Sequence, residues 1–126
     1  MTTYTQIKLE ANNVTIKKAI LEEIMEYQGK NSGGIHQATI ERNVAMRLGK
    51  KVKNRTLRKS IELLRNEGYL ICSDNDNGYH MAASMDEVEE FIGIQYLARI
   101  ETINKTIKSV RKSAAEKFTG AKQMPL

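Results

Sequence analysis

The chain has one cysteine, Cys72, so it can form no internal disulfide. Together with the lack of an N-terminal apolar run of the signal-peptide kind, that scarcity points to a reducing, cytoplasmic setting. No apolar run is long enough to span a bilayer, so no membrane role is expected. Histidine is nearly as scarce, with His36 and His80 the two present. These and Cys72 lack the paired spacing of metal sites and offer no nucleophile and base to pair. Gly33 and Gly34 are not followed by the Lys and Ser or Thr of a phosphate-cradling loop. Asp86, Glu87, Glu89 and Glu90 open a predicted helix, where acids favour the dipole without any chemistry. Neither an enzyme, nor a metal, nor a cofactor is expected.

Negative charge is missing where positive charge is densest. Arg47, Lys50, Lys51, Lys53, Arg55, Arg58 and Lys59 follow one another with no Asp or Glu between positions 47 and 59. Residues 36–68 hold nine Lys or Arg against three Glu, a local +6, while the whole chain is +5. The rest is therefore slightly acidic, and the basicity belongs to one segment. Nucleic acid is the common partner whose affinity comes from neutralising a row of phosphates. The bland counterpart is a solvated helix face balanced by Glu62 and Glu67.

A chain of 126 residues accommodates one domain with an appended long helix. Residues 1–12 place Tyr4, Ile7 and Leu9 among polar residues, as either a short strand or a loose arm. From Asn13, a predicted N-cap, Ile16, Ala19, Ile20, Ile24 and Tyr27 recur at helical spacing, with Lys17, Glu22, Glu23 and Glu26 off the stripe. GKNSGG at 29–34 is a loop, and Ile35 starts at most a very short strand. A second helix carries Ile40, Val44 and Leu48 and stops at Gly49. After the turn KKVK, Asn54 is the predicted N-cap of a third helix ending at Gly68. Its stripe is Leu57, Ile61 and Leu64, opposite Arg55, Arg58, Lys59, Glu62, Arg65 and Asn66. Residues 69–72, the turn NDNG at 75–78 and residues 79–82 read as a β-hairpin.

Ser84 and Glu87 have the spacing of a capping box, and the helix they open has no proline before about Lys117. Val88, Phe91 and Ile92 are expected to touch the domain body. Farther on, Tyr96, Ile100, Ile103, Ile107, Val110 and Ala114 alternate spacings of four and three, the seam of a short coiled coil. A helix from a second copy is the simplest cover, and packing against the chain's own first helix is the other.

The GGI before the second helix, the run NRTLRKSIELLRNEGYLI and the return GYHMA resemble the winged-helix group of helix-turn-helix proteins over roughly residues 14–83. More narrowly, LRKSIELLRNEGYLICSDNDNGYHMAASMDEVEEFI looks like small winged-helix proteins of bacterial phages and prophages. The resemblance implies a mainly α fold with a small β-hairpin, a winged helix-turn-helix followed by a long C-terminal helix. The expected divisions are an arm (1–12), the winged-helix domain (13–83), the long helix (84–118) and a flexible tail (119–126).

By the same resemblance, the third helix enters the major groove, and Arg55, Thr56, Arg58 and Lys59 form the base-reading surface. Lys50, Lys51 and Lys53 would clamp phosphates, with Gln37 and Thr39 adding backbone hydrogen bonds near a helix N-terminus. The seam residues Tyr96, Ile100, Ile103, Ile107 and Val110 would form a dimer interface. The expected role is sequence-specific binding of double-stranded DNA by a homodimeric transcriptional regulator. The alternative is a phage replication or assembly accessory whose basic helix grips a protein or a single strand. One departure from the group is the wing, which carries Asp74 and Asp76 and no Lys or Arg. Either it stands away from DNA or His80 and the Asn side chains touch it.

Overall fold

The computed structural model describes residues 3–75 and 78–119. Contacts divide the chain into two compact units, one up to Glu89 and one from Glu90. The architecture is mainly helical, with one two-stranded antiparallel sheet and a long C-terminal helix. Among the described residues, no helix is long and apolar enough to cross a membrane.

Residues Tyr4–Ala11 are neither strand nor loose arm but a helix, α1. Thr3 Oγ1 accepts from the Gln6 amide at 3.1 Å, and Gln6 Oε1 accepts from the Thr3 amide at 2.8 Å, so a reciprocal cap satisfies two donors at the helix start. Ile7 and Ala11, one turn apart, are buried, while Tyr4 and Leu9 are exposed. Helix α2 (Val14–Met25) starts as expected on Asn13, whose Oδ1 accepts from the amides of Thr15 and Ile16. Ile16, Ala19, Ile20 and Ile24 are buried along its stripe. Lys17, expected off that stripe, is buried too. Its Nζ donates to Asn12 Oδ1 at 3.0 Å and to Glu67 Oε1 at 2.8 Å, which lets the charge sit under cover.

Helices α3 (Gln37–Leu48) and α4 (Asn54–Asn66) complete the core. Ile40 and Val44 of α3 and Leu57, Ile61 and Leu64 of α4 join the α2 residues in one apolar cluster. Each such side chain, removed from water, contributes about 1.5–3 kcal/mol. The N-cap of α4 is Lys53, not Asn54, and its side chain makes no cap bond. At the other end, Gly68 takes φ +105°. Its amide donates to the Arg65 carbonyl, and the Tyr69 amide donates to the Leu64 carbonyl, a pair of bonds that stops the helix and turns the chain.

Strands β1 (Ile71–Asp74) and β2 (Gly78–Met81) form a hairpin where one is expected, with Cys72 opposite His80 and Asp74 opposite Gly78. The first strand starts two residues later than expected and leaves Tyr69 and Leu70 outside it. Asp76 and Asn77, part of the expected turn, lie outside the described residues. Gly78 has φ +87°, and a Cβ there would collide with the Ile35 backbone carbonyl. The close approach has a purpose: Ile35 and Tyr79 exchange both backbone hydrogen bonds, at 2.8 and 2.9 Å, so Ile35 adds a single bridge to the hairpin edge. Arg65 Nε donates to the Ile71 carbonyl at 2.8 Å and fastens α4 to β1.

Helix α5 (Met85–Ile92) begins where the expected cap places it, with the Glu87 amide donating to Ser84 Oγ at 3.2 Å. The single helix expected to about Lys117 is instead interrupted. Gly93–Leu97 form a π-turn, in which the Ala98 amide reaches the Gly93 carbonyl, and α6 then runs over Ala98–Phe118. Within the second unit, Phe91 and Tyr96 meet edge to face at 5.3 Å between ring centroids. Of the expected tail, residues 120–126 lie outside the described residues.

Candidate nucleic-acid interface

The densest positive charge falls on the turn between α3 and α4 and on the first half of α4. Gly49 ends α3 at φ +69°, a left-handed conformation that costs glycine nothing. Two residues into the turn, Val52 is 2 % exposed. Its anchoring fixes the corner, and Lys50, Lys51 and Lys53 on either side of it are all exposed. Sequence alone marks the lysines; the buried valine that holds them outward is the residue it does not single out.

On α4, Arg55 and Arg58 are exposed. Arg58 Nε donates to Gln37 Oε1 at 3.4 Å, a long bond that joins the exposed face of α4 to the first residue of α3. Among the described residues, none of Lys50, Lys51, Arg55 and Arg58 has a carboxylate partner. These four cations and Gln37 are the part of the expected surface that the fold brings together in the open.

Other expected members drop out. Thr56 is fully buried, and its Oγ1 lies 3.3 Å from Glu10 Oε2 of α1, so it is removed from the reading surface. Its neighbour Ser60 is also fully buried and donates to the Ala11 carbonyl at 2.9 Å. Helix α1 covers this flank of α4. Lys59 is half-buried at its edge, 3.3 Å from Glu62 Oε1, beside an open cleft of about 420 Å³ lined also by Tyr4, Lys8, Leu9 and Leu63. Arg47, counted above among cations without a nearby acid, pairs with Glu22 at 2.7 Å and faces Glu23 at 3.9 Å. Chain distance hides those partners, because both lie on α2. Thr39 is half-buried, and its amide already donates to the His36 carbonyl at 3.0 Å. It has no backbone donor left to offer.

The hairpin presents no cation among its described residues. His80 is 4 % exposed, which removes it as an outward contact. Its Nε2 lies 3.6 Å from Glu87 Oε1, and its Nδ1 has no hydrogen-bond partner among the described residues. Glu87 accepts from the amides of Ala83 and Lys30, both at 3.2 Å. Those two bonds hold its carboxyl below the usual carboxylate range, with smaller help from His80 and Lys30. Burial pushes the Cys72 thiol up, Glu87 adds to the rise and Arg65 opposes it. A protonated, covered thiol is a packing residue rather than a nucleophile.

No protein family, curated protein or solved structure matches this chain.

Proposed function

We propose that residues 13–83 form a winged helix-turn-helix that binds double-stranded DNA, and that the chain works as a homodimeric transcriptional regulator. The carrying observation is that Lys50, Lys51, Arg55 and Arg58 share one turn and helix, all exposed and without carboxylate partners. The element order α2, α3, α4, hairpin, with Ile35 bridged to the hairpin edge, supports the winged-helix part of the reading.

In this mechanism the N-terminal half of α4 enters the major groove. The planar forks of Arg55 and Arg58 each present two parallel donors, which suit the O6 and N7 acceptors of guanine. The contact with Gln37 restrains the Arg58 fork before DNA arrives, so less side-chain freedom is lost on binding. Lys50, Lys51 and Lys53 neutralise phosphates and set the register without reading bases. The hairpin, lacking positive charge, serves to hold α4 through Arg65 rather than to line the backbone.

Anisotropy titrations of a labelled duplex library at several salt concentrations test this. With about six phosphates contacted, log Kd against log salt should have a slope of magnitude roughly 5. A flat dependence, or equal affinity for single strands, would overturn the duplex reading.

A further inference from the structure

Helix α1 covers Thr56 and Ser60 with one side, and its outer side shares with α4 the open cleft beside Lys59. The residues lining that cleft have one chemistry. Tyr4, Thr5, Lys8, Asn12 and Lys59 each bring a hydrogen-bond donor, and no Asp or Glu is among the described lining residues. Asn12 Oδ1 is already taken by Lys17 Nζ at 3.0 Å, so the amide has its NH2 left to give. Lys8 is exposed and has no carboxylate partner among the described residues. Its Nζ rests 5.4 Å from the centre of the Tyr4 ring, one turn back along α1. Lys59 has Glu62 at 3.3 Å, an exposed acid whose hold is weak.

We infer that this cleft takes a stretch of sugar-phosphate backbone, so that α1 is a second phosphate clamp on the side of α4 away from α3. The inference deepens the DNA-binding reading and rests on it. Lys, Thr, Asn and Tyr are the side chains that bond phosphate oxygens, and here they converge without a competing acid in the lining. Small-molecule sites enclose most of their ligand. This cleft is open instead, with Tyr4 and Leu9 on its rim 66 and 70 % exposed, which suits a polymer passing along it.

The position relative to the open face of α4 fits the same partner. Arg55 stands between two neighbours on that surface, Arg58 at i+3 and Lys59 at i+4. Arg58 leans to α3 through Gln37, and Lys59 borders α1. A helix with its side chains is about 10–12 Å across and the major groove about 12 Å wide, so a helix lying in the groove has a phosphate strand close on each side. In this arrangement the corner joining α3 to α4 serves one wall with Lys50, Lys51 and Lys53, and α1 serves the other with Lys8. Lys59, withdrawn from base reading, joins the second wall.

Anisotropy titrations on a selected duplex carry the test. Lys8→Ala places a good helix former at an exposed site, so circular dichroism should be unchanged. Each phosphate contact contributes about 0.9 to the magnitude of the salt slope, so for each chain bound the variant should lose about 0.9 in slope and bind roughly eightfold more weakly at 0.1 M salt. The loss should be equal on the selected duplex and on an unrelated one, because a phosphate contact reads no sequence. Leu9→Lys adds a cation to the same cleft and should raise the slope by about as much.

To place the contact, each phosphate of the duplex is replaced in turn by a neutral methylphosphonate. At one position the replacement should weaken the parent and leave Lys8→Ala unaffected, and that position should lie across the major groove from the one that couples to Lys50 in the same way. A parent that binds duplex normally while Lys8→Ala keeps its affinity and slope would overturn the clamp and leave the DNA reading standing. So would Lys8 and Lys50 coupling to the same strand of the groove. A parent that ignores duplex at low salt would overturn both.

Discussion

The two flanks of α4 both carry polar side chains and meet different fates. One flank, with Thr56 and Ser60, is sealed by α1 and hydrogen-bonded to Glu10 and the Ala11 carbonyl. The other, with Arg55 and Arg58, is open, and Arg58 reaches Gln37. Position on a helical wheel does not decide between these outcomes. What decides is which neighbouring element arrives, and α1 arrives on one side only. The sealed flank therefore belongs to stability, and under the proposed function the open flank serves recognition, a division that mutation can test.

The largest effect is expected beneath both flanks. Leu57 is fully buried, so Leu57→Ala should cost about 2–5 kcal/mol in urea unfolding through lost burial and a cavity. A smaller loss would mean that the α2–α3–α4 core repacks around the gap. Next comes the open flank. Arg55→Ala or Arg58→Ala should weaken a selected duplex by about 1–3 kcal/mol and relax preference at one position. Unfolding of either variant should stay within about 0.5 kcal/mol of the parent. Equal affinity in anisotropy titrations would strip the open flank of its assigned role.

On the sealed flank the pattern should invert. Ser60→Ala leaves the buried Ala11 carbonyl without its donor and should lose about 1 kcal/mol of stability. Its duplex affinity should be unchanged. Weaker binding by the folded variant would blur the division between flanks. The smallest effect concerns the hairpin exit, which neither flank touches. A carboxyl held below its usual range, like that of Glu87, stabilises the fold above the unfolded-state pKa and loses that contribution as pH falls through the folded-state value. Glu87→Gln should therefore lose less Tm than the parent between pH 6 and pH 3, and parallel curves in calorimetry would show that the Glu87 carboxyl carries no linkage.

Most of the first unit was legible because its signals are local. The stripe from Ile16 to Ile24, the stops at Gly49 and Gly68, and the cap at Asn13 each act within a few residues. Helix α1 was not legible from apolar spacing, since its largest apolar residues, Tyr4 and Leu9, are exposed and its buried face is only Ile7 and Ala11. The Thr3 and Gln6 pair was the available sign, a capping box with glutamine in place of glutamate. Burial of Thr56 could not be read without α1, nor could the pairing of Arg47 with an earlier helix. The π-turn at Gly93–Leu97 leaves composition unchanged, so periodicity carries straight through it.

The lone sulfhydryl behind the hairpin gives the molecule a built-in clock. Cys72 is buried, so it can meet a labelling reagent only when its surroundings open locally, and its modification rate under native conditions reports how often that opening occurs. A fluorophore attached at an introduced surface cysteine will accordingly outpace the native site, and the same chain can be tagged at one position while the other times its breathing.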